Sequence, residues 1–180
     1  MPDLRRSFPH QTPLAGLPQV ALSRRPLPSS YRPFASSAPA VNTAQSFVIS
    51  ARVWLNQTSV GTGSGFAAVS QNGVTQSAFT LGYTPTCPTT GGCWTFAMPN
   101  TDAASAPMTA ANSTGTVVGN RWVHLVGAYD NNVSPAKLRL WVCDIGTPTS
   151  PGTGTPVLFS ANRAATGWNA GGAFTIGRGQ

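Results

Sequence analysis

The sequence predicts an all-β protein, an antiparallel β-sandwich preceded by a disordered N-terminal tail. The main observation is the stretch Arg121–Asp144, in which apolar and polar side chains alternate on both sides of the turn-rich loop Asn131–Pro135. Alternation with a period of two around such a loop is typical of a β-hairpin. The 180 residues include 19 glycines and 16 prolines, which supply many turns, and no long amphipathic helical pattern is present. Many short segments of this kind pack as two facing sheets.

The N-terminal segment differs in composition from the rest of the chain. Residues 1–38 are rich in proline, serine and arginine and show no run of alternation. They also lack the apolar stretch of a secretory signal or a membrane span. Segments of this composition bury too little apolar surface to fold, so we predict a disordered tail or linker. The folded domain is then expected over residues 39–180, without insertion into a membrane.

Short strands are predicted along the domain in the following order. Outside the hairpin they are Ser46–Leu55, Phe66–Ser70, Ser77–Tyr83, Trp94–Met98, Val157–Phe159 and Ala173–Ile176. The dipeptide Asn72-Gly73 predicts a tight turn between the second and third of these strands. The segment Pro99–Thr116 is polar and composed of small residues, which predicts one long surface loop. About eight strands result, enough for two sheets.

Charge is sparse and unevenly distributed. Charged residues make up 8% of the chain, glutamate is absent, and the net charge is +7. Residues 1–40 hold five arginines and one aspartate, a net of +4, which leaves +3 for the remainder. A basic chain can attract nucleic acid through its phosphates. Because the cations of the predicted domain are scattered and form no basic helix, sequence-specific nucleic-acid binding is not predicted.

The three cysteines leave several pairings open. Cys87 and Cys93 flank a turn-forming segment, CPTTGGC, and a disulfide between them would suit an oxidising compartment. Two free thiols are the alternative, and pairings that involve Cys143 are a further one. A zinc site is not favoured, because the cysteine spacing does not fit and histidine is scarce.

The order of the segments resembles the laminin-G-like jelly-roll domains of the concanavalin A-like lectin and glucanase superfamily, in the form found in large secreted proteins of actinobacteria. The pieces that carry the resemblance are Trp122–Asp130, Leu138–Val142 and Phe174–Arg178. The resemblance covers about residues 39–178. Members of the family usually add a strand before the Val41 region and another after the final Gly-Arg. The resemblance therefore implies a truncated domain, incomplete at both ends.

The resemblance also implies a function. It points to a non-catalytic binding module outside the cell or at the cell surface, joined to other domains of a larger polypeptide, with a carbohydrate or an extracellular protein as ligand. A structural or adhesive spacer and an accessory domain of a secreted glycoside hydrolase are the alternatives. Hydrolysis by this chain itself is not predicted, because that chemistry needs two carboxyl groups flanking the scissile bond. Glutamate is absent, and the aspartates of the predicted domain are far apart in sequence.

Four side chains are candidates for ligand or metal binding. Laminin-G-like domains bind calcium at loop edges, so calcium is the one candidate cofactor, with Asp102 and Asp130 as its ligands. Local hydrogen bonding at a turn and a strand end is the alternative role for both aspartates. Trp141, which shares a face with Lys137, and Trp168 are candidates for stacking on a sugar ring, with packing as the alternative.

Three further side chains are assigned structural roles. Trp94 and Trp122 are predicted to lie in the core. His124 lies in the middle of a predicted strand and lacks an activated nucleophile nearby in the sequence, so a structural role is predicted for it as well.

Overall fold

The computed structural model describes residues 34–177 and residue 179. The described part of the chain folds into two antiparallel β-sheets with one apolar core, which confirms the predicted all-β sandwich. In chain order the strands are β1 (Phe34–Ala35), β2 (Phe47–Trp54), β3 (Phe66–Asn72), β4 (Ser77–Thr84), β5 (Cys93–Pro99), β6 (Met108–Asn112), β7 (Trp122–Asp130), β8 (Ala136–Thr147), β9 (Ser150–Pro151), β10 (Pro156–Arg163) and β11 (Phe174–Ile176). A 3₁₀ turn at Gln57–Ser59 follows β2.

The two sheets differ in size. The first sheet has the strand order β1-β11-β3-β4-β5-β6. The second has the order β10-β8-β7-β2, and the short β9 pairs with the end of β8. The predicted hairpin is its centre: β7 pairs with β8 from Asp130–Lys137 to Trp122–Gly146. One extra residue on β8 near Trp122 shifts the register there, which is the arrangement of a β-bulge.

The core lies between the inner faces of the sheets. Its most deeply buried apolar side chains, each 0% exposed, are Phe79, Leu81, Phe96, Leu125, Leu138 and Leu140. Half of them come from β4 and β5 and half from β7 and β8. In β8 the burial follows the predicted alternation: Leu138 and Leu140 point inward, and Lys137 and Arg139 lie on the opposite side.

The segment Pro99–Thr116, which we predicted to be one long loop, contains a strand. β6 pairs with β5 from Thr95–Asn112 to Pro99–Met108, and Ala111 is buried in the core. The prediction of a continuous loop was therefore wrong. Small and polar residues give β6 no clear apolar alternation, and its backbone pairing with β5 holds it in the sheet.

Strand β10 is longer than the predicted Val157–Phe159. It extends to Arg163 and pairs along its whole length with β8, from Pro156–Cys143 to Arg163–Ala136. The second half of β10 was not predicted, because it contains the polar residues Ser160, Asn162 and Arg163. Arg163 is nevertheless buried, with 1% of its surface exposed.

The predicted tail, residues 1–38, falls mostly outside the described residues. Its described end contains β1, in which Phe34 pairs with Ile176 of β11. The backbone N–H of Ser36 donates to the Phe174 carbonyl at 2.8 Å, and the Ser36 hydroxyl accepts the Phe174 N–H at 2.9 Å. Paired structure thus begins before the predicted boundary at residue 39.

Candidate functional site

The outward side of the second sheet carries exposed aromatic, aliphatic and cationic side chains. We call it the open face, and we define it by the outward residues Val48, Ser50, Arg52, Trp54, Trp122, His124, Val126, Lys137, Arg139, Trp141 and Leu158. The register places these side chains in rows that cross the strands. An exposed apolar patch of this kind on a sheet surface typically marks an interaction site.

One row crosses the middle of the open face. Val126 of β7 pairs with Ser50 of β2 on one side and with Trp141 of β8 on the other. Trp141 in turn pairs with Leu158 of β10, whose side chain is 52% exposed. The structure therefore places the candidate Trp141 at the centre of a mixed aromatic and aliphatic row, on the same side as Lys137 and Arg139.

A second aromatic group lies at one end of the open face. Trp54 and Trp122 pair across β2 and β7, with ring centroids 5.5 Å apart and an interplanar angle of 67°. Their side chains are 46% and 40% exposed, respectively. The prediction that Trp122 lies in the core was wrong, because the inward positions of β7 belong to Val123 and Leu125. Trp94, by contrast, is buried as predicted.

Three cations, Arg52, Lys137 and Arg139, lie on the open face, where Asp130, in register with Lys137, is the carboxylate beside them. Arg52 pairs in register with His124, and Lys137 lies one row beyond Arg139. Arg139 forms an ion pair with Asp130, with Nη1 2.8 Å from Oδ2. The hydrogen bond from Arg139, together with one from the Asn132 backbone N–H, lowers the pKa of Asp130 below its usual value. Arg52 and Lys137 therefore leave the face with an excess of positive charge.

Asp102 lies at the turn between β3 and β4, where backbone N–H groups of the turn donate to its carboxylate. Its carboxylate accepts the backbone N–H groups of Val74, Thr75 and Gln76 at 2.7, 2.9 and 3.1 Å. Slight burial raises the pKa of Asp102, but these three hydrogen bonds outweigh that effect and hold the pKa below its usual value.

The two calcium candidates thus bind different parts of the protein itself: Asp102 caps a turn of the first sheet, and Asp130 pairs with Arg139 of the second. Within the described residues, no group of three or more histidine, cysteine, aspartate or glutamate side chains is placed to hold a metal ion. Calcium binding stays a prediction, and the local hydrogen-bonding role of both carboxylates is what the structure displays.

Replacement of Asp102 by alanine is expected to lower the free energy of unfolding by about 1–2 kcal/mol, since three backbone donors lose a partly solvated anionic acceptor. The pKa of Asp102 is lower in the folded state than in the unfolded state. Its contribution is therefore fully present above the unfolded pKa of about 3.9 and is lost as the pH falls through the folded value. Urea unfolding should therefore show a larger difference in stability between parent and variant at pH 7 than at pH 2.5. An equal difference at both pH values would contradict the assignment.

Trp168 packs at the same turn as Asp102. Its indole N–H donates to the Pro99 carbonyl at 3.3 Å, and its own carbonyl accepts the Thr43 hydroxyl at 2.7 Å. Gly73 allows this approach, because a Cβ there would lie 2.5 Å from the indole ring. The structure therefore does not bring Trp168 and Trp141 together: Trp168 holds a turn, and Trp141 lies on the open face.

The thiols of Cys87 and Cys93 are neighbours, and all three cysteines are free. Burial raises the pKa of the Cys87 thiol, but hydrogen bonds with Cys93 and Thr89 outweigh this and lower it. Burial raises the pKa of Cys93 to about 12, with the neighbouring Cys87 adding to the shift. Cys143 lies on the outward side of β8 in the other sheet, in register with His124. The predicted Cys87–Cys93 disulfide is not formed here and stays a prediction, but these two thiols are the pair that the fold brings together.

In the part of the chain that the structure describes, no helix is long and apolar enough to cross a membrane. No protein-family model, no curated protein and no solved structure compared with the chain matches it. The antiparallel β-sandwich is established by the two sheets and their shared core. The resemblance to laminin-G-like domains stays a prediction drawn from the sequence.

Proposed function

We propose that this chain is a non-catalytic binding module that acts outside the cell or at its surface, as one domain of a larger protein, and that its open face binds carbohydrate. The observation that carries the proposal is the set of outward tryptophans at positions 54, 122 and 141 on adjacent strands, with cations between and beside them. Trp54 and Trp122 are exposed, and Trp141 is partly buried between them and β10. The sequence resemblance to secreted laminin-G-like domains supports the same assignment.

The chemistry of the open face suits a sugar chain. A tryptophan ring offers a large, rigid apolar surface on which the C–H side of a sugar ring can pack, while its indole N–H remains free to donate. Arg52 and Ser50 are exposed beside the aromatic rows and provide hydrogen-bonding groups for ring hydroxyls. Because the face is extended across four strands, it matches a chain of several sugars better than a single ring. The positive charge of Arg52 and Lys137 favours a chain with acidic groups.

The carboxylates support a role without hydrolysis. Glycoside cleavage usually needs two carboxyl groups roughly 5–9.5 Å apart around the bond. The chain contains four aspartates and no glutamate. Three of these aspartates are engaged by the protein: Asp102 by a turn, Asp130 by Arg139, and Asp144 by Arg121. The open face itself carries cations and aromatic rings in place of paired acids.

A protein ligand is the second candidate, and the aliphatic part of the open face favours it. Val48 is 67% exposed and Leu158 is 52% exposed, and neither side chain offers a polar group to a sugar. The buried core of a protein interface is more apolar than the rest of the surface, and tryptophan and arginine are enriched there. Binding to a protein and binding to a glycan would use the same tryptophans, so one set of variants tests both.

Replacement of Trp141 by alanine is expected to weaken glycan binding at least tenfold, since loss of a central aromatic contact typically costs more than about 1.4 kcal/mol. The measurement is a glycan array with separate neutral and acidic members, followed by calorimetry on the glycans that bind. Trp54→Ala should weaken the same glycans. Val74→Ala, which removes a side chain 90% exposed on the β3–β4 loop, is the matched control and should leave binding unchanged.

The array also separates the alternatives. Glycan binding that survives Trp141→Ala and Trp54→Ala, with circular dichroism showing both variants folded, would place the ligand elsewhere. If no glycan on the array binds, the result would favour a protein ligand or a structural spacer. A preference for acidic members that disappears in Arg52→Gln would confirm the role of positive charge on the open face.

A further inference from the structure

A cleft opens between the two sheets at the end of the sandwich where β10 and the segment just before it meet the segment before β7. Its volume is about 190 Å³. The floor is apolar, and it is formed by Trp94 of the first sheet and by Val123, Val142 and Phe159 of the second. Val118 and Val157 lie at its rim and are 51% and 52% exposed. The cleft is thus an extension of the core that reaches the surface.

An ion pair lies at the mouth of the cleft. The Nε atom of Arg121 is 2.8 Å from Oδ1 of Asp144, and the two side chains are 23% and 31% exposed. The Arg121 Nε–H is not directed at that oxygen and forms no hydrogen bond with it. Oδ1 of Asp144 instead accepts the backbone N–H of Gly146 at 3.0 Å. The mouth therefore offers a buried donor and a carboxylate acceptor whose charges balance.

A buried hydroxyl also lines the cleft. Ser113 is 6% exposed, and its Oγ accepts the backbone N–H of Trp94 at 3.0 Å. Among the described residues no acceptor takes the proton of this hydroxyl. A hydroxyl buried against Trp94 with a free proton gains from an acceptor, because leaving a buried donor without a partner costs free energy. Ser113 can therefore donate to an oxygen that enters the cleft.

We propose that this cleft is a binding site for a small neutral molecule with an apolar body and one hydroxyl group. The volume lies below the range of about 300–1,000 Å³ that is typical of drug-sized ligand pockets, so one ring or a short branched chain fits. The apolar floor disfavours a charged body. Because Arg121 and Asp144 already balance each other, a ligand anion would be repelled by Asp144 and a ligand cation by Arg121. A hydroxyl both accepts and donates, which matches Ser113 and Asp144.

This site is distinct from the one in the proposed function. The cleft lies among the inward side chains of β7 and β8, such as Val123 and Val142, whereas the open face uses the outward side chains of the same strands. A ligand can occupy one site while the other is empty, and either proposal can fail without the other.

The test uses 4-methylphenol as the probe, titrated into the full ¹⁵N-labelled chain and followed by NMR. We expect saturable shifts of the backbone amides around Trp94, Ser113 and Val123. Toluene, which lacks the hydroxyl, should bind about three- to tenfold more weakly, since one neutral hydrogen bond contributes about 0.5–1.5 kcal/mol. The anion of 4-methylbenzoic acid should bind more weakly still.

Two variants complete the test. Ser113→Ala should reduce the affinity for 4-methylphenol to that for toluene and leave the affinity for toluene nearly unchanged. Val157→Trp changes an exposed rim residue and should block both probes while the chain stays folded by circular dichroism. Absence of saturable shifts near Trp94, unchanged binding in the folded Val157→Trp variant, or equal affinities for 4-methylphenol and toluene would each overturn the proposal.

Discussion

Replacing Arg163 with methionine should lower the free energy of unfolding by roughly 3–5 kcal/mol, because at least two buried backbone acceptors lose their donor at about 1–3 kcal/mol each. Arg163 is the last residue of β10, and it is 1% exposed. Its Nη1 donates to the Met98 carbonyl at 2.9 Å and to Asn100 Oδ1 at 3.2 Å, and its Nη2 donates to the Pro99 carbonyl at 2.8 Å. One guanidinium thus fixes the second sheet to the end of β5 in the first.

The planar fork of the guanidinium is needed for this arrangement. Burial lowers the pKa of Arg163, and the neighbouring Tyr129 hydroxyl opposes the shift. A lysine at this position would keep a charge but could not direct two fixed N–H groups at two carbonyls, so Arg163→Lys should lose most of the same stability. Methionine keeps much of the aliphatic stem and removes the donors, which isolates the hydrogen-bonding contribution from packing.

Arg139→Met is the matched control for this prediction. Arg139 lies on β8 and also has a hydrogen-bonded guanidinium. Its side chain is 30% exposed, however, and that of its partner Asp130 is 24% exposed. Solvent-exposed ion pairs contribute little to stability. The parent chain and the two variants should be unfolded in guanidinium chloride. We expect a large loss in the free energy of unfolding for Arg163→Met and a small loss for Arg139→Met. Equal losses would show that Arg163 does not act as a link between the sheets.

Arg163 also shows why the length of β10 could not be predicted from the sequence. An arginine after Ser160 and Asn162 is typical of a loop, since arginine is almost never fully buried unless its charge is hydrogen-bonded or paired. The groups that satisfy it here are backbone carbonyls 64 and 65 residues earlier in the chain. No local pattern contains that information, because the partners meet only when the two sheets pack.

The hairpin was predictable for the opposite reason. Its alternation is local, and the inward positions of Leu138, Leu140 and Leu125 follow from a period of two. The same rule left Trp122 misassigned, because both sides of β7 carry apolar residues and alternation alone does not tell which side is buried. The candidate Trp141 was placed correctly beside Lys137 and Arg139, since charged neighbours on the same side mark that side as the outward one.

The other candidates depended on contacts far apart in the sequence. Asp102 caps a turn 26–28 residues before it, and Trp168 reaches Pro99 across 69 residues. The sequence shows an aspartate in a loop and a tryptophan next to glycine, but neither pattern indicates which backbone group the side chain will bind. The inter-sheet cleft could not be predicted either, because Trp94, Ser113 and Val157 lie on separate strands and segments that converge only in the folded sandwich.

Replacing Phe96 with alanine should cost about 3–5 kcal/mol, the range typical of a phenylalanine removed from a packed core. Phe96 is 0% exposed at the centre of β5, and its ring lies 6.1 Å from that of Phe47 and 6.3 Å from that of Phe79. On the facing sheet the ring packs against Gly127, where a Cβ would lie 2.7 Å from a ring carbon. The glycine at this inward position of β7 therefore makes room for the ring, and the two residues should be energetically coupled.

A double-mutant cycle tests that coupling directly. Gly127→Ala alone should cost about 1–3 kcal/mol, since the added methyl group overpacks the core against the ring. In the Phe96→Ala background the same methyl group enters the space that the ring has left, so it should cost much less or be stabilising. The coupling energy from urea unfolding should then be at least about 1 kcal/mol, as for residues in direct contact. Gly171→Ala, where a Cβ meets nothing within 4 Å, is the control and should show no coupling to Phe96. Additive losses for Gly127 and Phe96 would mean that the facing sheets can shift apart to admit the methyl group, and that the contact between β5 and β7 does not fix the spacing of the sandwich.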